Sequence, residues 1–246
     1  MDRKQIKLEW NEDHSSLILV ASITNIQRLG RTPSSIQAVD ISFHFEFIMS
    51  NPVNCVSDES FFAQEVERGF TTTLWPEMLR IHRVAAQTIK DLGCKTVFEI
   101  GSGLGAFLLG CRDVGLSAGG MDRNQLEKDF AVSQGVDEWR YIIGDIPSFQ
   151  LPFHHADCIN CVEVFEHLSD SELHNLCSQI ASSCKWFYFT STPHPDSRDS
   201  EWGHINLKSR EEWITFFNQY GLKFVREDHA LVPWGLLFRG HYETSC

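Results

Sequence analysis

The chain has 246 residues, of which 42% are hydrophobic, 22% charged and 12% aromatic. This length suits one large domain, or one domain with a small addition. The 18 Phe and 7 Trp residues require a packed interior and so exclude intrinsic disorder. No hydrophobic run approaches the roughly 20 residues that span a membrane. Because no hydrophobic segment follows the basic residues of the N-terminus, we expect no secretory signal and a cytoplasmic protein.

The charge balance weighs against nucleic acid as a partner. There are 21 Lys and Arg against 33 Asp and Glu, so the net charge is −12 with His neutral. A surface this acidic repels phosphate backbones, and no cluster of Lys and Arg marks a basic groove. We therefore do not expect the protein to bind nucleic acid.

The 8 cysteines are spread along the chain without the spacing of a disulfide framework, which predicts reduced thiols. One CxxC pair, Cys158 and Cys161, falls in the predicted buried strand ADCINCVEV. Residues three apart in a strand face opposite sides, so the two thiols cannot hold one metal ion together. We predict that both pack in the core.

Residues 1–50 differ in composition from the rest of the chain. Two stretches rich in Ile, Val and Phe, SLILVASIT and IQAVDISFHFEFIM, are separated by the turn-forming LGRTPSS. They predict a small β-containing extension over 1–50, followed by the main domain over 51–246. Helical spacing comes next, and within it Pro76 suits a helix start and Gly93 a helix end.

Short hydrophobic runs then alternate with helical segments. The runs are TVFEI, SAGGMD, RYIIGD, ADCINCVEV and KWFYFTS. This alternation predicts an α/β doubly wound, Rossmann-like fold, with a mostly parallel sheet and helices on both faces. Two late runs, LKFVREDHALV and LLFRGHYE, joined by a short turn at Pro233–Gly235, predict an antiparallel hairpin at one edge.

A glycine-rich turn follows the run TVFEI. The missing side chains of Gly101, Gly103 and Gly105 let a ligand lie on the backbone. The same turn, up to Ala106, also satisfies the dinucleotide pattern GxGxxG/A, so a nicotinamide cofactor is one alternative. Glu99 weighs against that alternative, because a carboxylate beside the loop repels a pyrophosphate and favours a ligand with ammonium and sulfonium charges.

Two further carboxylates end the next two runs. Asp122 can accept hydrogen bonds from both hydroxyls of an adenosine ribose. Asp145, in IGDI, can meet an adenine edge. Because the carboxyl ends of parallel strands lie at one edge of a sheet, these two groups and Glu99 define one crevice.

The chain resembles the class I S-adenosylmethionine-dependent methyltransferases. The resemblance covers about residues 76–224 and depends on FEIGSGLG, GGMDRN, IGDI and CVEVFEHL in the family's order. It implies that the three glycines wrap the methionine part of S-adenosylmethionine and that Glu99 orders its amino end. It further implies that Asp122 binds the ribose and that Asp145 with Ile146 contacts the adenine. Glu163 is the remaining residue expected to bind the cofactor.

A second constellation follows the fourth run. If Glu163-Val-Phe-Glu166-His167 is helical, two carboxylates and an imidazole share one face, and His204 in a later loop adds a fourth ligand for a divalent cation. The pattern looks like the metal site of the small-RNA 3′-terminal 2′-O-methyltransferases, whose metal acidifies the attacking hydroxyl. Similar EVFEHL segments occur in metal-free methyltransferases of small molecules. We favour the metal-free interpretation.

Histidines of the loop 192–208 are candidate bases, because imidazole titrates near neutral pH. His194 and His204 both lie there. We expect His167 and His204 to carry the acceptor-side chemistry. Ser209-Arg-Glu-Glu212 predicts a capping box, which is a structural feature.

These patterns predict an S-adenosylmethionine-dependent methyltransferase that methylates a small molecule, with oxygen favoured because histidines near the acceptor can deprotonate a hydroxyl. The alternatives are a metal-dependent 2′-O-methyltransferase of RNA 3′ ends, a nicotinamide-dependent oxidoreductase, and a non-catalytic module of the same fold. A homodimer is a further open alternative, and no membrane partner is expected. No sequence pattern identifies the acceptor.

Overall fold

The computed structural model describes residues 6–10, 17–21, 57–146, 155–192 and 202–242. The chain divides into two compact units, residues 1–55 and residues 56–246. In the first unit, strand β1 (Ile6–Trp10) pairs antiparallel with strand β2 (Leu17–Ala21). Strand β2 falls within the predicted run SLILVASIT, whereas the run IQAVDISFHFEFIM lies outside the described residues. The predicted domain boundary after residue 50 stays a prediction.

The second unit contains a seven-stranded sheet with helices on both faces. Its described α-helices are α1 (Asp58–Glu67), α2 (Trp75–Asp91), α3 (Ala106–Val114), α4 (Gln125–Ser133), α5 (Asp170–Ser183) and α6 (Arg210–Asn218). Its strands are β3 (Thr96–Ile100), β4 (Ser117–Asp122), β5 (Tyr141–Ile143), β6 (Ala156–Val162), β7 (Cys184–Thr190), β8 (Lys223–Glu227) and β9 (Leu236–Arg239). The alternation matches the predicted order and confirms the doubly wound, Rossmann-like fold. None of the described helices is both long and hydrophobic enough to cross a membrane.

The strand order of the sheet is β5-β4-β3-β6-β7-β9-β8. Strands β5, β4, β3, β6 and β7 run parallel, and β9 runs antiparallel to both of its neighbours. After β3 the chain winds outward through β4 and β5 and then returns to place β6 on the other side of β3. Ligands of open α/β sheets bind at this reversal, outside the carboxyl ends of the strands.

Two hydrophobic clusters fill the two faces of the sheet. Helices α2 and α3 contribute to one cluster, and helices α5 and α6 contribute to the other. Cys158 belongs to the first cluster and Cys161 to the second, and both side chains are fully buried. The alternation of strand side chains thus separates the two thiols, and the predicted core role of the CxxC pair is confirmed.

Local sequence explains where several helices begin and end. Pro76 lies in the first turn of α2, where its missing N–H has no intrahelical partner to lose. At α6 the predicted capping box is present: Ser209 accepts from the Glu212 amide, and the Glu212 carboxylate accepts from the Ser209 amide. A second capping box, which the sequence analysis did not single out, begins α5.

The C-terminal strands β8 and β9 form the predicted antiparallel hairpin, but with a longer connection. The predicted run LKFVREDHALV is too long, because β8 ends at Glu227 and residues 228–235 form a loop. The Asp228 amide donates to the Gly235 carbonyl over 2.8 Å. A Cβ on Gly235 would lie 2.1 Å from the Asp228 carbonyl oxygen, so this close approach requires glycine.

Candidate active site

The glycine turn between β3 and α3 lies at the carboxyl edge of the sheet, next to the strand reversal. Gly101, Gly103 and Gly105 have φ values of 75°, 46° and 79°, in the left-handed region that favours glycine. A Cβ on Gly101 would lie 2.2 Å from a methyl carbon of Val164, whereas a Cβ on Gly103 would meet only a Glu127 carboxylate oxygen, at 3.8 Å. The backbone at Gly103 is therefore the part of the turn that a ligand can approach.

Hydrogen bonds hold this turn in place from two strands. The Asp122 carboxylate at the end of β4 accepts from the Gly103 amide over 2.9 Å and from the Asn124 amide over 3.0 Å. The Tyr141 hydroxyl on β5 donates to the Gly103 carbonyl over 2.6 Å. Burial raises the pKa of Asp122, and its bonds with the amides partly offset that rise. The structure thus brings Asp122 to the glycine turn, as the sequence predicted.

Glu99 is a buried carboxyl group on β3 beside the same turn. Its side chain is 2% exposed, and its Oε1 accepts a hydrogen bond from Asn160 Nδ2 over 3.0 Å. Oε2 is buried and makes no hydrogen bond of good geometry within the described residues, although the nearby Ser102 hydroxyl lowers the pKa of Glu99 slightly. Burial raises the pKa of Glu99 well above its usual range. Because an unpaired buried polar atom costs free energy, Oε2 marks a place where a ligand donor fits.

The predicted adenine-binding residues lie at the third strand end. Asp145 and Ile146 follow β5, and the intervening Gly144 amide donates to the Asp122 carbonyl over 2.9 Å. Asp145 is exposed, and Ile146 is half-buried against the hydrophobic cluster of α5 and α6. The structure therefore places Glu99, Asp122 and Asp145 at three neighbouring strand ends of one edge.

The segment after β6 is not the helix on which the one-face arrangement of metal ligands depended. Glu163 has a φ of 53°, unusual for a residue with a side chain, and only Phe165–His167 form a 3₁₀ turn. The Glu163 carboxylate accepts from the amide and hydroxyl of Thr192, over 3.1 and 2.6 Å, and from Trp234 Nε1 over 2.8 Å. Glu163 thereby links β6, the end of β7 and the β8–β9 loop.

Three of the four predicted metal-ligating residues do come together. Glu166, His167 and His204 each offer a donor atom, and these atoms lie within 4.8 Å of one another, whereas Glu163 is not part of this group. The Glu166 carbonyl accepts from the amides of Ile205 and Asn206 over 2.8 and 3.0 Å, which holds the His204 loop against the 3₁₀ turn.

The two histidines and Glu166 have unusual electrostatic surroundings. Glu166 is fully buried, and neither carboxyl oxygen makes a hydrogen bond of good geometry within the described residues, although the Ser191 hydroxyl lies near enough to lower its pKa slightly. Burial, with a smaller contribution from nearby Glu163, raises the pKa of Glu166 well above its usual range. Burial and the neighbouring His204 lower the pKa of His167 to about 4. At neutral pH, His167 is therefore neutral, and burial favours the protonated form of Glu166.

An aromatic cover, defined by Phe61 and Trp202, adjoins the histidines. The Phe61 ring on α1 lies 5.5 Å from the Trp202 ring and 6.2 Å from the His167 ring, and the His167 and His204 rings are 4.9 Å apart. The Arg68 guanidinium lies 3.8 Å over the Trp202 ring. This cover could not be predicted from sequence, because its rings come from segments more than 100 residues apart. His194, the other candidate base, lies outside the described residues.

A pair of carboxyl groups beside the glycine turn was also not predicted from sequence. Glu65 on α1 and Glu127 on α4 are neighbouring carboxyl groups, and burial is the main cause that raises the pKa of each. Each lies in a helix with many charged residues, where a glutamate is usually solvent-exposed, so no local signal distinguishes them. Only the packing of α1 on α4 brings them together.

Taken together, the reversal of strand order, the glycine turn and the row of carboxyl groups define a class I methyltransferase fold. A family model described as a methyltransferase domain matches residues 76–227, and the chain belongs to that family. This confirms the predicted class, an S-adenosylmethionine-dependent methyltransferase, and it decides against the nicotinamide alternative. No curated protein matches the chain in sequence.

Solved methyltransferase structures of low sequence identity share the fold. An S-adenosylmethionine-dependent methyltransferase from Archaeoglobus fulgidus is 23% identical with a TM-score of 0.53, over 68% of this chain and 78% of that one. The mitomycin 7-O-methyltransferase MmcR is 16% identical with a TM-score of 0.54, over 74% and 59%. Human N-acetylserotonin methyltransferase is 15% identical with a TM-score of 0.51, over 76% and 57%. The chain thus spans less than two thirds of the length of the last two proteins.

Proposed function

We propose that the protein transfers the methyl group of S-adenosylmethionine to a hydroxyl oxygen of a small molecule. The observation that carries this proposal is the pair of imidazoles, His167 and His204, at the carboxyl edge of the sheet that also holds the glycine turn. The net charge of −12 supports a small acceptor over a polyanion. Mitomycin 7-O-methyltransferase, by its name, methylates oxygen on the same fold.

The residues present fit the cofactor in two ways. The open backbone at Gly103 can carry its methionine part, with Gly101 and Gly105 shaping the turn around it. The unpaired Oε2 of Glu99 can accept from the cofactor's ammonium group, whose positive charge would lower the raised pKa of Glu99. When bound, the cofactor supplies a methyl group on a positively charged sulfur, which leaves as a neutral thioether.

The other proposed cofactor contacts lie at the ends of the two neighbouring strands, on the same edge of the sheet. Asp122 accepts from the ribose hydroxyls while it keeps its bonds to the turn, because each carboxylate oxygen has more than one lone pair. Asp145 and Ile146 border the adenine, one as an acceptor and the other as a hydrophobic surface. Glu163 holds the β7 and β8–β9 loops at the boundary between cofactor and acceptor.

The proposed acceptor chemistry needs one base and a fixed geometry. We assign His204 as the group that takes the hydroxyl proton while the oxygen attacks the methyl carbon in line with the leaving sulfur. His167, with its pKa near 4, is a weak base and orients His204 and the acceptor. Phe61 and Trp202 shield this region from water.

An activity screen with chelated protein tests the proposal. The protein is incubated with isotopically labelled S-adenosylmethionine, excess EDTA and a library of hydroxylated small molecules that includes phenols, sugars and hydroxy acids. We expect label in at least one product, with the methyl group on oxygen by NMR, and its loss in His204→Ala. Label on nitrogen or carbon alone would overturn the oxygen assignment.

The second candidate is a metal-dependent 2′-O-methyltransferase of RNA 3′ ends. The grouping of Glu166, His167 and His204 favours it, because two imidazoles and a carboxylate suit a divalent transition metal. There, the metal would acidify the attacking ribose hydroxyl. The acidic net charge and the tethered Glu163 carboxylate count against it. Methylation of an RNA oligonucleotide that depends on Mn²⁺ or Mg²⁺ and fails with a 2′-deoxy 3′ end would establish it.

A further inference from the structure

Glu163 follows β6 in a backbone conformation that residues with a side chain rarely adopt. Its φ is 53°, whereas the other positive φ values within the described residues belong to glycines. Its amide donates to the Thr190 carbonyl over 3.0 Å, so the chain leaves the sheet at this residue. A left-handed conformation at a glutamate costs free energy and persists only where neighbouring groups hold it. Contacts of Glu163 must therefore maintain the turn.

Hydrogen bonds to the Glu163 carboxylate come from two directions. Oε2 accepts from the amide and the hydroxyl of Thr192, over 3.1 and 2.6 Å. Thr192 follows β7, the neighbour of β6 in the sheet, so these two bonds come from the adjacent strand end. Oε1 accepts from Trp234 Nε1 over 2.8 Å, although the two residues are 71 apart in the chain. Among the described residues, Trp234 is the donor that holds Oε1.

The β8–β9 loop carries Trp234 on a closed and tightly packed base. The Asp228 amide donates to the Gly235 carbonyl over 2.8 Å, and the buried Tyr188 hydroxyl on β7 donates to the Asp228 carbonyl over 3.4 Å. The Asp228 carboxylate accepts from the Ala230 amide over 3.2 Å. A Cβ on Gly235 would lie 2.1 Å from the Asp228 carbonyl oxygen and 2.8 Å from the Tyr188 hydroxyl oxygen. Because Trp234 directly precedes Gly235, this packing restricts where the indole can lie.

The turn that begins at Glu163 contacts the glycine turn. A Cβ on Gly101 would lie 2.2 Å from Val164 Cγ2, so the Val164 side chain lies directly against the Gly101 backbone. The same turn continues into Phe165–His167, which carries an imidazole of the acceptor side. Because peptide planes are rigid, a change in the φ of Glu163 moves Val164 relative to Gly101. The support of the glycine turn therefore depends on the conformation of Glu163.

We propose that Trp234 is a positioning residue for cofactor binding and acts through the Glu163 carboxylate. This role rests on the proposed function, because it takes the glycine turn as the S-adenosylmethionine site. Without the indole donor, Oε1 loses its hydrogen bond, and Glu163 relaxes toward ordinary backbone conformations in which Val164 no longer supports Gly101. The glycine turn then populates conformations that do not bind the cofactor, and the apparent affinity falls with the fraction of molecules that can bind.

Calorimetric titration with S-adenosylhomocysteine tests this role without an acceptor. Trp234→Phe removes the donor and keeps an aromatic ring, so we expect the Kd to rise about tenfold, the effect of one lost hydrogen bond to a charged group. Thr192→Val removes the hydroxyl donor to the same carboxylate and keeps the shape of the side chain. Its Kd should rise by only about threefold, because the Thr192 amide still donates to Oε2.

A Glu163→Gly background separates action through the carboxylate from a packing role of the indole ring. Glycine adopts a positive φ readily and has no carboxylate, so the indole N–H has no acceptor there. In this background, Trp234→Phe should change the Kd by less than about twofold, and the two single effects should not add. Trp139→Phe, the same substitution at a residue that is 73% exposed, is expected to bind as the wild type. Circular dichroism checks that each variant is folded at the temperature of the titration.

The outcomes distinguish the positioning role from the cofactor assignment. If the wild type binds and folded Trp234→Phe binds within about twofold of it, the positioning role is overturned and the cofactor site stands. An undiminished loss of affinity from Trp234→Phe in the Glu163→Gly background would show that the indole acts independently of the carboxylate, which also overturns the role. No binding by folded wild type would overturn both the cofactor assignment and the positioning role.

Discussion

The two halves of the proposed active site are built in different ways. The cofactor half, at the ends of β3, β4 and β5, consists of a glycine turn whose amides and carbonyls are held by Asp122 and Tyr141. The acceptor half, at the ends of β6 and β7, depends on side chains that meet from distant segments, as Glu163 meets Trp234. The residues of the cofactor half are close in sequence and are held through the backbone. The residues of the acceptor half are brought together by tertiary packing.

This difference explains why the cofactor half suits a ligand that many enzymes share, whereas the acceptor half suits a ligand that differs between enzymes. A backbone cradle requires glycine at fixed positions and tolerates little variation, so it suits a cofactor shared by many enzymes. Side chains of loops can change without disturbing the sheet, so they suit an acceptor that differs between enzymes. Away from the link between Glu163 and Trp234, substitutions in the two halves should therefore have separable effects on cofactor affinity and on turnover.

The largest effect is expected from His204→Ala. Loss of the proposed base should lower kcat by about 1,000-fold, within the range that general base catalysis contributes. The affinity for S-adenosylhomocysteine should stay within about threefold, because His204 belongs to the acceptor half. Turnover and calorimetry on the same preparation measure both. Equal losses of kcat and of S-adenosylhomocysteine affinity would show that the two halves are not separable.

Asp122→Ala should produce the converse pattern. It removes two charge-assisted hydrogen bonds from the glycine turn as well as the proposed ribose contact, so we expect at least about a 100-fold loss of S-adenosylhomocysteine affinity, or ~3 kcal/mol. Asp129→Ala, at an exposed position of α4, is the matched control and should bind as the wild type. Unchanged affinity in Asp122→Ala would refute the assignment of the cofactor half.

His167 should make the acceptor half sensitive to acid. Its pKa is about 4 in the folded protein and about 6.5 when unfolded, so its contribution to stability is complete above pH 6.5 and is lost as pH falls toward 4. Over that range the free energy of unfolding of the wild type should fall by about 3 kcal/mol more than that of His167→Asn. Urea titrations at several pH values measure the difference. In the control variant His229→Asn, at an exposed position, the free energy of unfolding is expected to fall in acid by as much as in the wild type.

Ser209→Ala should cost about 1 kcal/mol of stability through loss of the α6 cap. Because α6 packs beneath the acceptor half, the substitution tests whether that half depends on the helix start. Ser169→Ala at the equivalent cap of α5 provides the comparison. Chemical denaturation measures both, and no change in either variant would contradict a stabilising role for the capping boxes.

The smallest effect is expected from Glu166→Gln. Burial favours the protonated form of Glu166, so an uncharged amide of the same shape should change stability and turnover by less than about threefold, or ~0.7 kcal/mol. If the acceptor half instead binds a metal, the carboxylate is a ligand and the variant loses metal uptake and activity together. Metal analysis alongside the turnover assay distinguishes the two cases.

The cofactor half could be predicted from sequence because its signals are local. A hydrophobic run, three glycines and a carboxylate at the next strand end are enough to place Gly103 beside Asp122, since the carboxyl ends of parallel strands share an edge. The helix starts at Pro76 and Ser209 followed from residues within one turn. The length of β8 could not be predicted in this way, because the loop 228–235 is stabilised by a contact at Gly235 that hydrophobic periodicity does not reveal.

The sequence by itself determined the fold class, the methyltransferase family and the positions of the cofactor-side carboxyl groups. Only the tertiary structure decided that Glu163 leaves the metal-capable group for Thr192 and Trp234, and that Glu65 lies near Glu127 across two helices. The physical reason is the range of the interactions. Glycine turns, caps and strand alternation act within a few residues, whereas burial, pKa shifts and hydrogen bonds between buried side chains depend on neighbours distant in the chain.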